Sequence, residues 1–451
     1  MATGRSERDG DEIELLSILP DDLLIAILSF LPTPVAARTS VLCRRFRYLW
    51  EASPSLVLTP RDRDLPRRNR NLMNFIRMGD RAIHQRHPSH PILSLHLDLC
   101  RFTPPLPDHC IYFLLKKAHS LGLRHLTVTV EGPHDLDLDL HQLIKPIFCI
   151  DSLRSLSLPT IGPIHVHGPI FKSCYAYTLN CPKLTNLSLR LFRVPSFNLS
   201  DLLPELSSLQ DFHLEIHAID SLSLSSQTIT NLNLILTPAD PKFRTLELFL
   251  PSLESLLFET RGSLSVSAHC PTPIIHGQLP LLKTAAIILD EVNTPDVTTI
   301  SSLFNTISDH VQELSLHVKE EKYPIPIPIL LEPGKVMPTF PNLKHLDINL
   351  CFHELNFEAV TTMVQHCPAL ESLKLVHKIP KFTDWAQGRK RKDWRSELPR
   401  NVDGNRRYAY LTNLHLGKNR KGLLKLLGKK CTFMKCTFNN RTRDFVVSSE
   451  K

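Results

Sequence analysis

Glycine is scarce in this chain, with 15 residues in 451 against 35 prolines. Loops that cradle phosphates need glycine where the backbone must approach the ligand, and neither GxGxxG nor GxxxxGK[ST] occurs. That excludes the common dinucleotide- and nucleotide-binding folds. The eleven cysteines are scattered and form no CxxC; the nearest pair, Cys431 and Cys436, has no histidine at finger-like spacing. Buried, reduced thiols are therefore expected, with no metal site, no cofactor and no disulfide framework. Apolar runs last only a handful of residues, far short of the ~18–20 that cross a bilayer. The stretch Met1 to Glu14 is polar and acidic, without the basic-then-apolar layout of a secretory signal. These absences predict a soluble chain of the cytoplasm, the nucleus or both, with no membrane partner.

Catalytic signatures are missing too. There is no GxSxG, no HExxH and no kinase-like set. His84, His87 and His90 sit among arginines and prolines like a linker, and His165-Val166-His167 implies no third ligand nearby. No enzyme is expected.

What the chain has in excess is leucine, 77 residues or about one in six. Its charge is also uneven. The formal balance is +8, yet residues 381–444 hold 18 Lys+Arg and 5 Asp+Glu, so the remainder is mildly acidic at −5. Binding of nucleic acid by the whole protein does not follow from so local a charge. Within the basic stretch, Arg389-Lys390-Arg391-Lys392 lies between Trp385 and Trp394. It reads either as a solvated loop or as a nuclear-import signal.

From about residue 90 a pattern of form L-x-x-L-x-L recurs, as in Leu123/Leu126/Val128, Leu153/Leu156/Leu158, Leu184/Leu187/Leu189 and Leu343/Leu346/Ile348. Most intervals fall near the 20–29 residues of leucine-rich repeats, and Cys-Pro or Phe-Pro often precedes the pattern. Each L-x-L predicts a short strand with alternate residues in the core, and the intervening residues return as a helix or turn. No repeat can bury its apolar edge alone, so the copies must stack into a parallel solenoid. The residues between the leucines would face solvent, among them His96, Thr127, His213, Asn233, Asp347 and Lys374, a candidate target-binding row. Register around Leu222 to Leu250 is crowded. A final copy at Leu411/Leu414/Leu416, a helix over 421–427 and a strand over 431–438 would close the array.

Residues 13–58 read differently, as three short helices. Pro20 with Asp21 and Asp22 suits a helix start. Leu23, Leu24, Ile27, Leu28 and Leu31 then form one apolar stripe, and Pro32 stops the helix. Thr33-Pro34 predicts a hydroxyl cap and a second helix, followed by a third whose Leu42, Phe46, Leu49 and Trp50 share a face. The unit is either a cap on a larger domain or a docking module.

The residues Leu19-Pro20-Asp21-Asp22-Leu23-Leu24, Ile27-Leu28-Ser29-Phe30-Leu31-Pro32-Thr33 and Ala37 to Trp50 resemble the F-box of plant F-box/LRR-repeat proteins. The chain departs from that pattern with Cys43-Arg44-Arg45-Phe46 where Ser-Lys-Arg-Trp is usual. The resemblance implies docking on a Skp-type adaptor and, through it, a cullin. Leu19, Pro20, Ile27, Leu28, Leu31, Pro32, Val41, Leu42 and Phe46 would supply the contacts or their support. The expected fold is thus α/β: a tail at 1–12, a three-helix F-box at 13–58, a linker with a helix at 59–89, and a leucine-rich-repeat solenoid at 90–377. A basic loop at 378–405 and a final repeat and cap at 406–451 complete it. The implied function is substrate recognition in an SCF-type cullin-RING ubiquitin ligase, with the target unnamed. The alternative is a leucine-rich-repeat interaction scaffold outside ubiquitin chemistry.

Overall fold

The computed structural model describes residues 18–42, 44–59, 68–87, 89–99, 108–129, 147, 150–158, 181–192, 203, 206–217, 221–237, 245–261, 274–289, 297–318, 337–350, 363–377, 433–439 and 444–450. The chain divides into two compact units, Met1–Val194 with Asp201–His213, and Pro195–Ser200 with Leu214–Lys451.

The first unit opens with helices α1 (Asp21–Ser29), α2 (Thr33–Arg38) and α3 (Phe46–Leu49), with 3-10 turns at Thr39–Val41 and Trp50–Ala52. Leu24, Leu28, Ala36, Phe46, Leu49 and Trp50 are buried together at their centre. Strand β1 (Ser55–Leu58) follows at once and pairs in parallel with β2 (Ser94–Asp98). The alternation of Leu56 and Leu58, both fully buried, makes this the first L-x-L of the sheet. The sheet thus begins inside the segment read from sequence as helical. Parallel pairing continues in chain order through β3 (His125–Thr129), β4 (Ser155–Ser157) and β5 (Asn186–Phe192). Helices α4 (Arg68–His84) and α5 (Asp108–Ser120) form the first two returns.

In the second unit, β8 (Asn231–Thr237), β10 (Ser255–Thr260), β12 (Thr284–Leu289), β13 (Glu313–Val318), β14 (His345–Leu350) and β15 (Ser372–His377) lie side by side in parallel. Strand β6 (Asp211–His217) carries the chain from the first unit into the second. The crowded stretch around Leu222 to Leu250 has a simple origin. Strands β7 (Ser221–Ser225), β9 (Thr245–Phe249) and β11 (Ile274–Gln278) form a separate parallel sheet, so each repeat there contributes two strands in place of a strand and a helix. The next return is helix α6 (Val297–Ile307), where Ser302 Oγ accepts from Ile275 N at 2.9 Å. At the C-terminal end β17 (Asp444–Glu450) pairs antiparallel with β15, and β16 (Phe433–Asn439) pairs antiparallel with β17. A hairpin therefore stands where sequence predicted a single strand. The copy at Leu411/Leu414/Leu416, the helix over 421–427 and the basic cluster Arg389–Lys392 lie outside the described residues.

One hydrogen-bond pattern repeats from rung to rung. The carbonyl of the residue before each strand accepts from the two N–H groups that open the next rung. Arg154 and Ser155 donate to Arg124, Thr185 and Asn186 to Arg154, Lys283 and Thr284 to Glu254, and Lys344 and His345 to Gln312. The prolines seen after Cys181, Phe340 and Cys367 begin the turn that feeds this pattern. Leu184, Leu343 and Leu370 then donate back to those three carbonyls and bury their side chains.

Gly79 lies mid-helix in α4, where an added Cβ would stand 2.6 Å from Leu58 Cδ1 and 2.9 Å from Leu114 Cδ1. Gly79→Ala is expected to destabilise the first unit by about 1–3 kcal/mol, because overpacking outweighs the gain in helix propensity. A thermal-unfolding comparison with wild type checks this.

Candidate functional site

The helical segment shows two apolar faces where the sequence reading had one stripe. Leu24 and Leu28 turn inward at 1% and 3% exposure, while Leu23 (52%), Ile27 (46%) and Phe30 (86%) stand outside at i, i+4 and i+7. The difference is one of phase: a 3.6-residue helix with apolar residues at adjacent positions presents two stripes, and only one can meet the core. A second correction concerns the third helix. Leu42 follows the 3-10 turn and precedes α3, so it is 52% exposed, whereas Phe46, Leu49 and Trp50 are buried. Val41 beside it is 85% exposed, and Ile18 and Val35 are exposed as well.

Of the nine residues named from sequence, then, Pro20, Ile27, Val41 and Leu42 are exposed. Leu19, Leu31 and Pro32 are half-buried, and Leu28 and Phe46 belong to the interior. Sequence reasoning missed Leu23 and Phe30 as surface residues. Their i, i+4, i+7 spacing with Ile27 was the available signal.

Three side chains, Arg45, Thr33 and Arg86, fix the frame that presents this surface. Arg45 reaches back to the start of α1, where its Nε donates to Asp21 Oδ1 at 2.6 Å and its Nη2 donates to the Leu19 carbonyl. Thr33 is 5% exposed, and its hydroxyl accepts from Val57 N at 2.9 Å rather than capping α2. Residue 32, a proline, occupies the cap position, so the threonine is free to clamp β1. Arg86 at the end of α4 is buried and donates to the Ser53 carbonyl. Burial holds its guanidinium down to about 10, partly offset by Glu51. The carboxyl of Glu51 is in turn raised by desolvation, against the pull of Arg86 and His90.

Within each unit, members of the candidate target row stand in register on neighbouring strands. In the first, His96 lies beside Thr127, with His96 Nε2 3.2 Å from Thr129 Oγ1, and His213 on β6 is half-buried. In the second, the order is Asn233, Leu257, Ala286, Ser315, Asp347, Lys374. Lys374 Nζ meets Asp347 Oδ2 at 2.8 Å. The apolar pair Leu257 and Ala286 at the centre of this row was not foreseen. Among the described residues no group of three or more His, Cys, Asp or Glu side chains could hold a metal ion, and no helix is long and apolar enough to cross a membrane.

Comparison with known proteins bears on the helical segment first: residues 16–58 match the F-box domain family. Similar proteins of Arabidopsis thaliana include one named as an F-box/LRR-repeat protein, 28% identical over 208 residues, which covers 46% of this chain and 39% of that protein. Another is named as an F-box/FBD/LRR-repeat protein, 31% identical over 199 residues, 41% of this chain and 43% of the relative. A third, named as an F-box protein, is 24% identical over 375 residues, 81% of this chain and 75% of its own length. The chain thus spans about two fifths of the first two relatives.

Proposed function

We propose that this chain, an F-box protein of the plant F-box/LRR type, is the substrate-recognition subunit of an SCF-type cullin-RING ubiquitin ligase. Its F-box helices dock on a Skp-type adaptor, and its leucine-rich repeats, stacked as a solenoid, hold the target. The chain itself carries no chemistry in this role; it raises the local concentration of target lysines near a charged conjugating enzyme. The observation that supports the reading is the outward row of Leu23, Ile27 and Phe30 along α1, with Val41 and Leu42 exposed as well, on a unit whose inner face is already packed. Isolated exposed leucines are ordinary, but several large apolar groups on consecutive turns of one small unit suit a partner. Leu28 and Phe46 support that ridge from beneath, and Pro20 and Asp21 with Arg45 set the start of α1.

The scaffold alternative draws on strand β1, which ties the helices to the sheet as a cap would. Reconstitution separates the two. With purified adaptor, cullin and RING subunit, the receptor reading predicts that the chain elutes with the cullin, only when the adaptor is present. The scaffold reading predicts that it elutes by itself.

A further inference from the structure

We propose that Glu51 and Arg86 form a two-position latch at the seam between the helical segment and the sheet. The latch is open in this structure and closes when the Glu51 carboxylate swings onto the free edge of the Arg86 guanidinium. It stands apart from the receptor reading, because it concerns how the helices are held on the first strands, whatever docks on their outer face.

At the seam two connections of the chain run side by side. One, Glu51 to Pro54, leads from the helices into β1; the other, Arg86 to Leu93, leads from α4 into β2. Leu93 N and Ser94 N both donate to the Pro54 carbonyl, at 2.9 and 3.1 Å, and Arg86 Nη1 donates to the Ser53 carbonyl. Arg86 is 6% exposed, and its Nε and Nη2 are buried without a hydrogen-bond partner. The guanidinium is thus tethered by one corner.

The two orphan nitrogens make up one edge of the group. Their N–H donors point the same way, as the fork that receives both oxygens of a carboxylate. An arginine keeps its charge at any ordinary pH, so it cannot escape burial by losing a proton. Donors of a charged group left buried and unpaired are among the costlier defects a fold can carry.

The missing acceptor is close by. Glu51 sits in the 3-10 turn Trp50–Ala52, two residues before the carbonyl that holds Nη1, and its residue is half-buried. Among the described residues no hydrogen bond or ion pair holds its carboxylate. Desolvation raises that carboxyl while the charges of Arg86 and His90 pull it down, so the two groups already sense each other across an unbridged gap. Asp80, the acid of α4, is engaged elsewhere, 2.6 Å from Lys117 Nζ. Rotation of the Glu51 side chain about its own bonds brings two acceptor oxygens to two orphan donors and gives a partly desolvated carboxylate its cation. Closed, the latch adds a side-chain tie to the pairing of β1 with β2, so that the helices and the first strands move as one piece.

Hydrogen exchange of the full chain reads the latch at the Leu93 and Ser94 amides, which bridge the seam. E51Q should raise their exchange about tenfold when Arg86 is present, the effect of one charge-assisted contact, and by less than about twofold in an R86M background. Amides of β14, in the second unit, should not change. R86Q replaces R86M as the background if the methionine variant does not fold. Seam exchange that E51Q leaves unchanged, or raises equally with and without Arg86, would overturn the proposal.

Discussion

Ile27→Asp combined with Leu42→Asp is expected to abolish adaptor capture while the chain stays folded. Both side chains are already about half exposed, so a carboxylate at either position remains hydrated in the free protein. At an apolar interface the same carboxylate must be desolvated without a partner, which costs several kcal/mol per ion. Leu28→Ala should do the reverse. Leu28 is 3% exposed in the helical core, and its truncation should cost about 2–5 kcal/mol of stability. Its effect on capture would follow only from unfolding, and lowering the temperature should restore binding. Co-elution with adaptor and thermal unfolding, measured on both variants, separate the two faces of α1. If Ile27→Asp/Leu42→Asp unfolds with wild-type cooperativity and still captures adaptor, the ridge is not the docking surface.

Removing residues 1–58 is expected to yield an insoluble remainder, not a free repeat array. The deletion takes away β1 and leaves β2 as an open parallel edge with its row of unpaired N–H and C=O groups. It also strips the cover from α4: Arg86 loses the Ser53 carbonyl, and Leu58 leaves the contact it makes beside Gly79. A buried arginine without its acceptor is costly in itself. Such a deletion therefore cannot distinguish a cap from a docking module, since both lose solubility. Substitutions on the outer face can, because they leave β1 and the clamp from Thr33 to Val57 in place. Size-exclusion chromatography of the truncated chain checks the expectation. A monodisperse 59–451 fragment would mean that β1 contributes little to the array.

Much of this was legible in the leucines. The spacing Leu123/Leu126/Val128 and its successors located β3, β4, β5, β10 and β12 to β15 correctly, because an inward L-x-L has one solution in a stacked sheet. What stayed hidden were features in which the same local pattern has two uses. Leu56 and Leu58 alternate like any other rung but follow the helices so closely that they read as the end of the helical unit. Leu222/Leu224 and Leu246/Leu248 are also L-x-L, yet they build the second sheet, and no local signal tells one sheet from the other. The division of Leu23 and Ile27 from Leu24 and Leu28 needed a packing partner to define the inner side. The seat of Arg86 against Ser53 emerged only once β1 and β2 were paired, since 33 positions separate the two in the chain.

Hydrogen exchange of the full chain with and without a Skp-type adaptor tests the central claim most directly. The account predicts new protection confined to residues 18–48, strongest around Leu23 to Phe30 and Thr39 to Leu42, with the strands from Ser94 to His377 unchanged. Exchange that is identical in both samples, or protection that appears on the strands and spares those helices, would contradict it.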